Sequence, residues 1–446
     1  MSELHAIQSR RSSFNAVQST AKLVLASDGP PDDAPSVFLV ARARAPEATA
    51  RVLRAVSEIV ASRFYVPPSM LARILREADP VATVGPGAVR FEGFSACCSA
   101  YIRLDMEDDA LEVRQRSRGT TNVDFGPELR AALARVRRES AFEITIGADS
   151  VAVAHESAAV TEEKVPLPTR WVKGFGEVQL HLRRMRRAGA MPRIAAHRFL
   201  RAQPRSHSDH LQWITMVGQT PRTAARKTSG AVPLRGAHRL RVLEPLMAFA
   251  TEMEVWVDDM SGSSAWVLHL GPQRITLALN AEPWRGFSGD GGLLADLIGA
   301  DDPGVAALRA QLAWQDRLSP PSLSDTTGLP PDRLEQALAI VATEGLVGFD
   351  LSAGAYFHRV LPFRLDRMER LNPRLKSARK LFAAGAATLG DEVSTVASDG
   401  VVHELRIKAG QLTCTCPWYA KHKGARGPCK HALAVELAME AAHDRE

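Results

Sequence analysis

Cysteine is scarce in this chain of 446 residues, which contains only five, and long apolar runs are absent. A disulfide framework requires more cysteines, so the scarcity predicts a reducing compartment. No stretch approaches the roughly eighteen consecutive apolar residues of a transmembrane helix. The first residues also lack the continuous apolar core of a signal peptide. The sequence therefore predicts a cytoplasmic protein that does not associate with a membrane.

The sequence also lacks the signatures of several common enzyme classes. It contains no H-E-x-x-H zinc-protease motif, no G-x-S-x-G nucleophile elbow and no deaminase pairing of H-x-E with P-C-x-x-C. These absences favour a protein that is not an enzyme. The weaker alternative is an enzyme whose site lies near the polar cluster Thr120–Asp124, which a turn and the cap of a following helix would also explain.

Acidic residues are nearly missing from residues 167–241, which contain sixteen Arg or Lys and only Glu177 and Asp209 as acids. This segment carries a charge of +14, although the whole chain carries only +6. The asymmetry predicts a nucleic-acid ligand, DNA more than RNA, or an acidic partner protein. The alternative is a basic face that pairs with acidic groups elsewhere in the same chain.

Helical spacing within the basic segment predicts an amphipathic helix over Gly176 to Ala188, with Val178 and Leu182 on its apolar face. Its arginines project largely away from that face, so they are the first candidates for contact with nucleic acid. These candidates are Arg183, Arg184, Arg186 and Arg187.

The pattern of periodic segments predicts an α+β, multidomain protein of five parts. Residues 1–160 are predicted to form an N-terminal α+β domain, and residues 161–241 are the basic helix and loop segment. Residues 242–300 are rich in short strand patterns. Residues 301–363 are predicted to be winged-helix-like, and residues 364–446 contain the cysteine cluster.

The winged-helix prediction rests on three helical patterns followed by two strands. The helices are expected at Val305 to Arg317, around residues 322–328 and at Pro331 to Glu344, and the strands at Val347 to Phe349 and Ala355 to Val360. This order resembles winged helix-turn-helix domains, which often place the third helix in the DNA major groove. The third helix here is acidic, and phosphate repels acidic side chains. We therefore expect that helix to serve packing or protein docking.

Three of the five cysteines and one histidine form a motif near the C-terminus, Cys414-Thr-Cys416, twelve further residues and Cys429-Lys-His431. Three thiolates and one imidazole are the ligand set of a tetrahedral structural zinc site. Alternate residues of a strand point to one side, so the first two cysteines can bind the same ion. The second pair lies at the start of a predicted helix over Ala432 to Ala442, whose dipole favours a thiolate there. With all four positions filled by protein, Zn²⁺ would stabilise the fold and leave no open site for catalysis.

Strands, other histidines and cations surround this motif. Val401 to Ile407 and Gln411 to Thr413 are predicted to form a hairpin before it. His403 and His422 are alternative ligands, although the C-x-H pair mirrors the C-x-C pair and favours His431. No acid lies between the ligands, and we expect the cations there to balance the thiolates and to contact phosphate or an acidic partner. These cations are Lys421, Lys423, Arg426 and Lys430.

The spacing C-x-C-x₁₂-C-x-H resembles the SWIM zinc-binding domain at all four ligand positions. The resemblance covers roughly residues 398–446 and implies a β-hairpin and a helix that together bind Zn²⁺. SWIM domains are known from chromatin-remodelling ATPases, mutator-type transposases and many bacterial proteins. The resemblance therefore also implies binding to DNA or to another protein. No ATPase or transposase core accompanies the motif here.

The whole chain also resembles bacterial stand-alone SWIM proteins, through the motifs Glu92–Cys98 and Gly119–Phe125. Such proteins are often encoded near MoxR-type ATPases and von Willebrand A domain proteins. The resemblance implies an adaptor role, with an ATPase as a candidate partner. Within the first motif, Cys97 and Cys98 are neighbours on a strand pattern and would face opposite sides of the strand, so burial is expected rather than joint metal binding.

Overall fold

A computed structural model of the chain describes residues 21–23, 25–26, 37–64, 80–122, 125–155, 158–162, 167–299, 303–362, 372–408 and 411–443. The described residues contain ten α-helices, twenty-four strands and five short 3₁₀ segments. None of the described helices is both long enough and apolar enough to cross a membrane.

Proline is the first residue of seven helices, where its fixed φ suits the helix and its missing N–H costs nothing. The helices are α1 (Pro46–Ala61), α2 (Pro127–Arg135), α3 (Thr169–Arg184), α4 (Arg193–Ala202), α5 (Pro303–Ala310), α6 (Pro320–Thr327), α7 (Pro331–Thr343), α8 (Pro373–Ala383), α9 (Pro417–His422) and α10 (Lys430–His443). The 3₁₀ segments are Asp108–Ala110, Ala237–Ala248, Phe287–Gly289, Gly292–Leu294 and Asp296–Gly299.

The strands belong to several mainly antiparallel sheets. They are β1 (Ala21–Leu23), β2 (Leu25–Ala26), β3 (Val37–Ala43), β4 (Val81–Val84), β5 (Ala88–Phe94), β6 (Ala100–Glu107), β7 (Leu111–Arg116), β8 (Gly119–Asn122), β9 (Phe142–Gly147), β10 (Asp149–His155), β11 (Ala158–Glu162), β12 (Arg186–Pro192), β13 (Leu211–Val217), β14 (Thr220–Ala224), β15 (Val232–Arg235), β16 (Glu252–Val257), β17 (Ser264–Leu270), β18 (Gln273–Leu279), β19 (Val347–Asp350), β20 (Ala355–His358), β21 (Ala387–Thr388), β22 (Ser394–Ser398), β23 (Val401–Lys408) and β24 (Gln411–Cys414).

The largest sheet has eight strands in the order β12-β16-β17-β18-β6-β5-β4-β8. Its centre is the pairing of β18 with β6, which joins residues 273–279 to residues 100–106. The predicted segments 1–160, 161–241 and 242–300 therefore share one sheet and one hydrophobic core. The other sheets have the orders β1-β9-β3-β7, β11-β10-β2, β14-β13-β15, β19-β20 and β21-β22-β23-β24.

Every residue of β5, a strand of the large sheet, is buried. Gly93 of this strand lies in van der Waals contact range of both α1 and α3. A Cβ at Gly93 would come within 2.9 Å of the Val60 side chain and 3.0 Å of the Trp171 ring. Helix α3 adds the rings of Trp171 and Phe175, whose centroids lie 5.9 and 5.0 Å from that of Phe94. A side chain at position 93 would therefore not fit where these two helices meet the sheet.

The predicted helix over Gly176 to Ala188 is wrong at its C-terminal end. Helix α3 ends at Arg184, Met185 is extended with φ −68° and ψ 133°, and Arg186 begins β12. Strand β12 pairs with β16 at the edge of the large sheet, and this pairing takes the last residues out of the helix. The four candidate arginines therefore do not share one helix.

The polar cluster predicted as a turn and helix cap is instead an edge strand. Residues Gly119–Asn122 form β8, are buried and pair with β4. The Thr120 hydroxyl lies 3.4 Å from that of Thr83 and accepts the N–H of Val360 at 3.3 Å. The turn interpretation is wrong for these residues, because cross-strand pairing satisfies their backbone. Residues 123–124, including Asp124, lie outside the described residues.

The adjacent cysteines lie in the turn between β5 and β6, so their placement on a strand is wrong. Cys98 is fully buried and has a φ of 55°, and Cys97 is half-buried. The Sγ atom of Cys97 lies 3.0 Å from the Ser99 hydroxyl. The predicted burial is confirmed for Cys98.

The three helices and two strands expected in residues 301–363 are present as α5, α6, α7, β19 and β20. The first helix is shorter than predicted and ends at Ala310. Helix α7 buries Leu334, Leu338 and Val341, as their spacing predicts, and packs against α3 and α5. The winged-helix interpretation of this arrangement stays a prediction.

The C-terminal module, residues 372–443, consists of the sheet β21 to β24 and the helices α8, α9 and α10. The predicted hairpin is confirmed as β23 and β24, and its turn at residues 409–410 lies outside the described residues. The helix predicted from Ala432 to Ala442 is confirmed and begins two residues earlier, at Lys430. The short helix α9 between the cysteine pairs was not predicted from the sequence.

Candidate metal centre

The four predicted ligands lie where three consecutive elements begin or end. Cys414 is the last residue of β24, and Cys416 is the N-cap of α9. Cys429 directly precedes α10, and His431 lies in the first turn of that helix. The hairpin and the helix thus bring two sequence pairs, twelve residues apart, to one point.

The ligand atoms of these four side chains all lie within 4.8 Å of one another. The Nδ1 atom of His431 is 3.8 Å from the Sγ atom of Cys414 and 4.0 Å from that of Cys429. A tetrahedral Zn²⁺ with bonds of about 2.0–2.3 Å holds its ligand atoms about 3.4–3.8 Å apart. The donor set and its spacing therefore fit zinc, with Nδ1 facing the thiols.

Burial and backbone hydrogen bonds prepare the sulfurs for a cation. All four ligands are buried, and the three cysteines belong to the small core of the C-terminal module. The Tyr419 N–H donates to Cys416 Sγ and the Ala432 N–H donates to Cys429 Sγ, each at 3.4 Å. These donors belong to the first turns of α9 and α10, where helix dipoles favour negative charge.

The ionisation of the three thiols is unequal. The pKa of Cys429 is lowered to about 4, and the largest cause is a hydrogen bond from Cys414. A hydrogen bond with His431 lowers this pKa further, whereas burial raises it. The same interaction with Cys429 raises the pKa of Cys414, and burial raises that of Cys416. A divalent cation in the cluster would favour the thiolate form of all three.

The alternative histidines lie beside the cluster and do not join it. The ring of His403 lies against that of His431, with centroids 4.2 Å apart. The ring of His422 lies against Trp418, with centroids 4.3 Å apart. The cluster of ligand atoms contains His431 instead.

The cations around the motif divide into two pairs. Lys421 and Lys423 are exposed and have no carboxylate partner among the described residues. Lys430 Nζ lies 2.9 Å from the Asp399 carboxylate. The guanidinium of Arg426 lies 5.0 Å from the centre of the Trp418 ring. Lys421 and Lys423 are therefore the exposed cations of the four, while Lys430 is paired and Arg426 is partly buried.

Arg374 joins α8 to the loop that carries the second ligand pair. It donates to the carbonyl oxygens of Arg426 at 2.6 Å and Pro428 at 2.8 Å. Its guanidinium lies 4.7 Å from the Trp418 ring centre, so two arginines contact this indole. From the rest of the chain, Arg285 donates to the Ala425 carbonyl at 3.2 Å. No local sequence signal identifies these long-range contacts.

Three of the four candidate arginines near the end of α3 are already paired with carboxylates of the same chain. The pairs are Arg183 with Glu335 at 2.5 Å, Arg186 with Asp259 at 2.5 Å and Arg187 with Glu254 at 2.9 Å. The fourth, Arg184, is exposed. These three arginines therefore match the alternative drawn from the sequence, in which basic residues pair with acidic groups elsewhere in the same chain.

A second group of possible metal ligands among the described residues consists of Glu252, Glu254 and His269. Glu254 already forms an ion pair with Arg187 at 2.9 Å and accepts a hydrogen bond from the Trp256 indole N–H at 2.9 Å. These contacts satisfy the carboxylate without a metal. The cysteine cluster is thus the stronger metal site.

Sequence reasoning missed a buried charged cluster around His181. Its Nδ1 lies 3.0 Å from Asp258 and its Nε2 lies 3.1 Å from Asp290, and all three side chains are almost fully buried. Position 181 follows Val178 by three residues and so lies on the buried face of α3. That spacing is the only sequence signal for the burial, and it gives no sign of the two carboxylates.

The comparisons with known proteins agree with the metal geometry. The SWIM zinc finger family matches residues 395–440, a range that contains all four ligands. Residues 395–440 are a SWIM zinc finger. Its three cysteines and one histidine indicate Zn²⁺ as the bound ion. The SWIM finger makes up 46 of the 446 residues, and the resemblance of the whole chain to stand-alone SWIM proteins stays a prediction.

No curated protein matches the chain at a significant level of sequence similarity. Among solved structures, the chain is similar to the proliferating cellular nuclear antigen from Entamoeba histolytica. The identity is 9 %, and the match covers 55 % of this chain and 99 % of that one, with a TM-score of 0.36. A likeness of this size carries no argument about fold or function.

Proposed function

We propose that this chain is a zinc-containing, non-enzymatic protein that binds nucleic acid, DNA in preference to RNA, through cations that its fold leaves unpaired. The observation that carries the proposal is the charge of residues 193–235, with eight Arg or Lys and Asp209 as the only acid. Among the described residues, only Arg201 of these eight has a carboxylate partner, Glu244 at 3.8 Å. Unpaired cations in such excess favour a polyanion.

The SWIM finger supplies a second group of free cations. Lys421 lies in the last turn of α9 and Lys423 is its C-cap, so the zinc ion would fix the backbone that carries them. Loss of zinc is expected to unfold this loop, because structural zinc contributes on the order of 10 kcal/mol to folding. The proposal thus assigns zinc a structural role in presenting charge.

The acidic helix α7 supports a packing role for the winged-helix-like segment. Its Glu335 pairs with Arg183, and its apolar face is buried against α3 and α5. A helix in a DNA groove needs an exposed and neutral or basic face. We infer that this segment holds the fold together and that nucleic acid binds elsewhere.

The test is a salt titration of binding to labelled single-stranded DNA, duplex DNA and RNA, followed by fluorescence anisotropy. The slope of log affinity against log salt is expected to be steep, as for several phosphate contacts. The double variant Arg222→Gln, Arg226→Gln is expected to reduce this slope by about two. The matched variant Arg186→Gln, Arg187→Gln removes two cations that are already paired, and should leave the slope nearly unchanged.

Binding that does not depend on salt, or no binding to any of the three ligands, would refute the nucleic-acid proposal. Equal effects of the two double variants would refute the choice of surface. A Cys429→Ser variant adds a zinc control, with Cys97→Ser as the matched cysteine change outside the cluster. Loss of zinc and weaker binding are expected only for Cys429→Ser.

A second candidate function is a protein adaptor, favoured by exposed apolar residues on the finger's hairpin. Val401, Val402 and Ile407 of β23 are 54 %, 63 % and 62 % exposed. The resemblance to stand-alone SWIM proteins suggests a MoxR-type ATPase as the partner. Co-purification with such an ATPase, lost in the variant Val402→Ser, Ile407→Ser while zinc content is unchanged, would support this function. If the variant co-purifies with the ATPase as well as the wild type does, the adaptor function is refuted.

A further inference from the structure

The three-stranded sheet β14-β13-β15 has an inward and an outward face. Ile214 is fully buried, and the Met216 side chain lies close to Gly189 of β12, so these alternate residues of β13 point inward. Side chains alternate along a strand, so Trp213 and Thr215 point outward.

The register of the sheet places cations on the same outward face. Thr215 is directly opposite Arg222 of β14, and Leu211 is directly opposite Arg235 of β15. Trp213 lies two residues from both positions along β13, a spacing of about 6.6 Å. The face therefore carries an indole in the middle and an arginine on either side of it.

Two tryptophans on this side of the molecule lie next to cations. Lys227 Nζ is 5.6 Å from the centre of the Trp213 ring. The Arg235 guanidinium is 5.0 Å from the centre of the Trp284 ring, and Trp284 is 49 % exposed. Cations and indoles at such distances attract one another, and each cation keeps its charge for a further ligand.

These cations have no carboxylate partner among the described residues. Arg222, Arg226 and Lys227 are exposed. Arg235 donates to the backbone carbonyl of Asp209, which leaves its charge unneutralised. An indole with free cations around it offers stacking to bases and attraction to phosphates at the same time.

We propose that this basic–aromatic face, made of Trp213, Arg222, Lys227, Arg235 and Trp284, binds single-stranded nucleic acid. The inference deepens the proposed function and rests on it. Stacking on an indole needs the flat side of a base, which a duplex hides between neighbouring pairs. An acidic protein would satisfy the cations but has no row of bases to stack on the indoles.

The experiment uses the full-length, zinc-loaded protein and a labelled oligothymidylate of roughly 20 nucleotides, longer than common single-strand sites. Trp213→Ala is expected to weaken binding about 5- to 150-fold, the loss expected for one stacked base. Trp213→Phe keeps an aromatic ring and should restore most of the affinity. Arg222→Gln, which removes charge without removing packing, should also weaken binding. The thermal midpoint of each variant shows whether the sheet is intact.

Wild-type affinity in a folded Trp213→Ala variant, or equal affinity for a duplex of the same length, would overturn the inference. If Arg222→Gln, Arg226→Gln still weakens binding in that case, the proposed function survives without base stacking on Trp213. If neither single strand nor duplex binds, both fail. Competition by polyglutamate as strong as that by unlabelled oligothymidylate would point to an acidic protein partner and would also overturn the inference.

Discussion

His181 is a buried side chain held between Asp258 and Asp290. Burial alone would lower the pKa of His181, but hydrogen bonds to both carboxylates raise it from 6.5 to about 9. The folded state therefore binds this proton more tightly than the unfolded state does. The resulting stability is complete below pH 6.5 and is lost as the pH rises towards 9.

We expect the wild-type protein to lose stability between pH 6.5 and 9, measured by urea denaturation across this range. His181→Gln should lower the free energy of unfolding at the acidic end by up to about 3–5 kcal/mol, because it removes the cation between two buried carboxylates. Asp290 keeps its ion pair with Arg285, and Asp258 keeps the hydrogen bond from the Ser261 hydroxyl. The substitution should also flatten the pH dependence of the free energy of unfolding.

Burial and Asp290 raise the pKa of Glu177 to about 7. Deprotonation of Glu177 therefore also lowers stability as the pH rises, so part of the slope remains in the His181→Gln variant. His210→Gln, at an exposed histidine, is the matched control, and an unchanged slope in His181→Gln would contradict the assignment.

At the scale of elements, Arg374 of α8 donates two hydrogen bonds to the zinc-binding loop. Arg374→Ala removes two hydrogen bonds to that loop, and such losses typically cost about 1–3 kcal/mol each. Faster amide hydrogen exchange is expected over residues 424–431, without loss of zinc. Lys376→Ala, an exposed change on the same helix, should leave exchange as in the wild type. Equal exchange in the two variants would show that Arg374 does not hold the junction.

Elements with local signals could be predicted from the sequence. Helix α7 starts at a proline and has apolar residues at helical spacing, and both signals lie within thirteen residues. The zinc ligands could be predicted for the same reason, since chemistry and spacing are confined to one short motif. Strand β12 could not be predicted, because its pairing with β16 depends on residues sixty or more positions away. The strand β8 could not be predicted either, because pairing with β4 overrides the turn preference of Gly119–Asn122.

At the scale of the whole molecule, the eight-stranded sheet makes residues 81–122 and 186–279 interdependent. A chain divided at the predicted boundary after residue 160 would expose the edge of β6 and the edge of β18, which pair in the intact sheet. We expect the fragments 1–160 and 161–446 to remain unfolded or aggregated alone, measured by the dispersion of amide NMR signals. Two well-dispersed fragments that do not associate would show that the boundary separates independent domains.

The account rests on one zinc ion bound by Cys414, Cys416, Cys429 and His431. Zinc K-edge X-ray absorption of the purified protein tests it most directly. The predicted spectrum shows three sulfur ligands at about 2.3 Å and one nitrogen ligand at about 2.0–2.1 Å. A shell of only nitrogen and oxygen atoms, or a folded C-terminal module without bound zinc, would contradict the account.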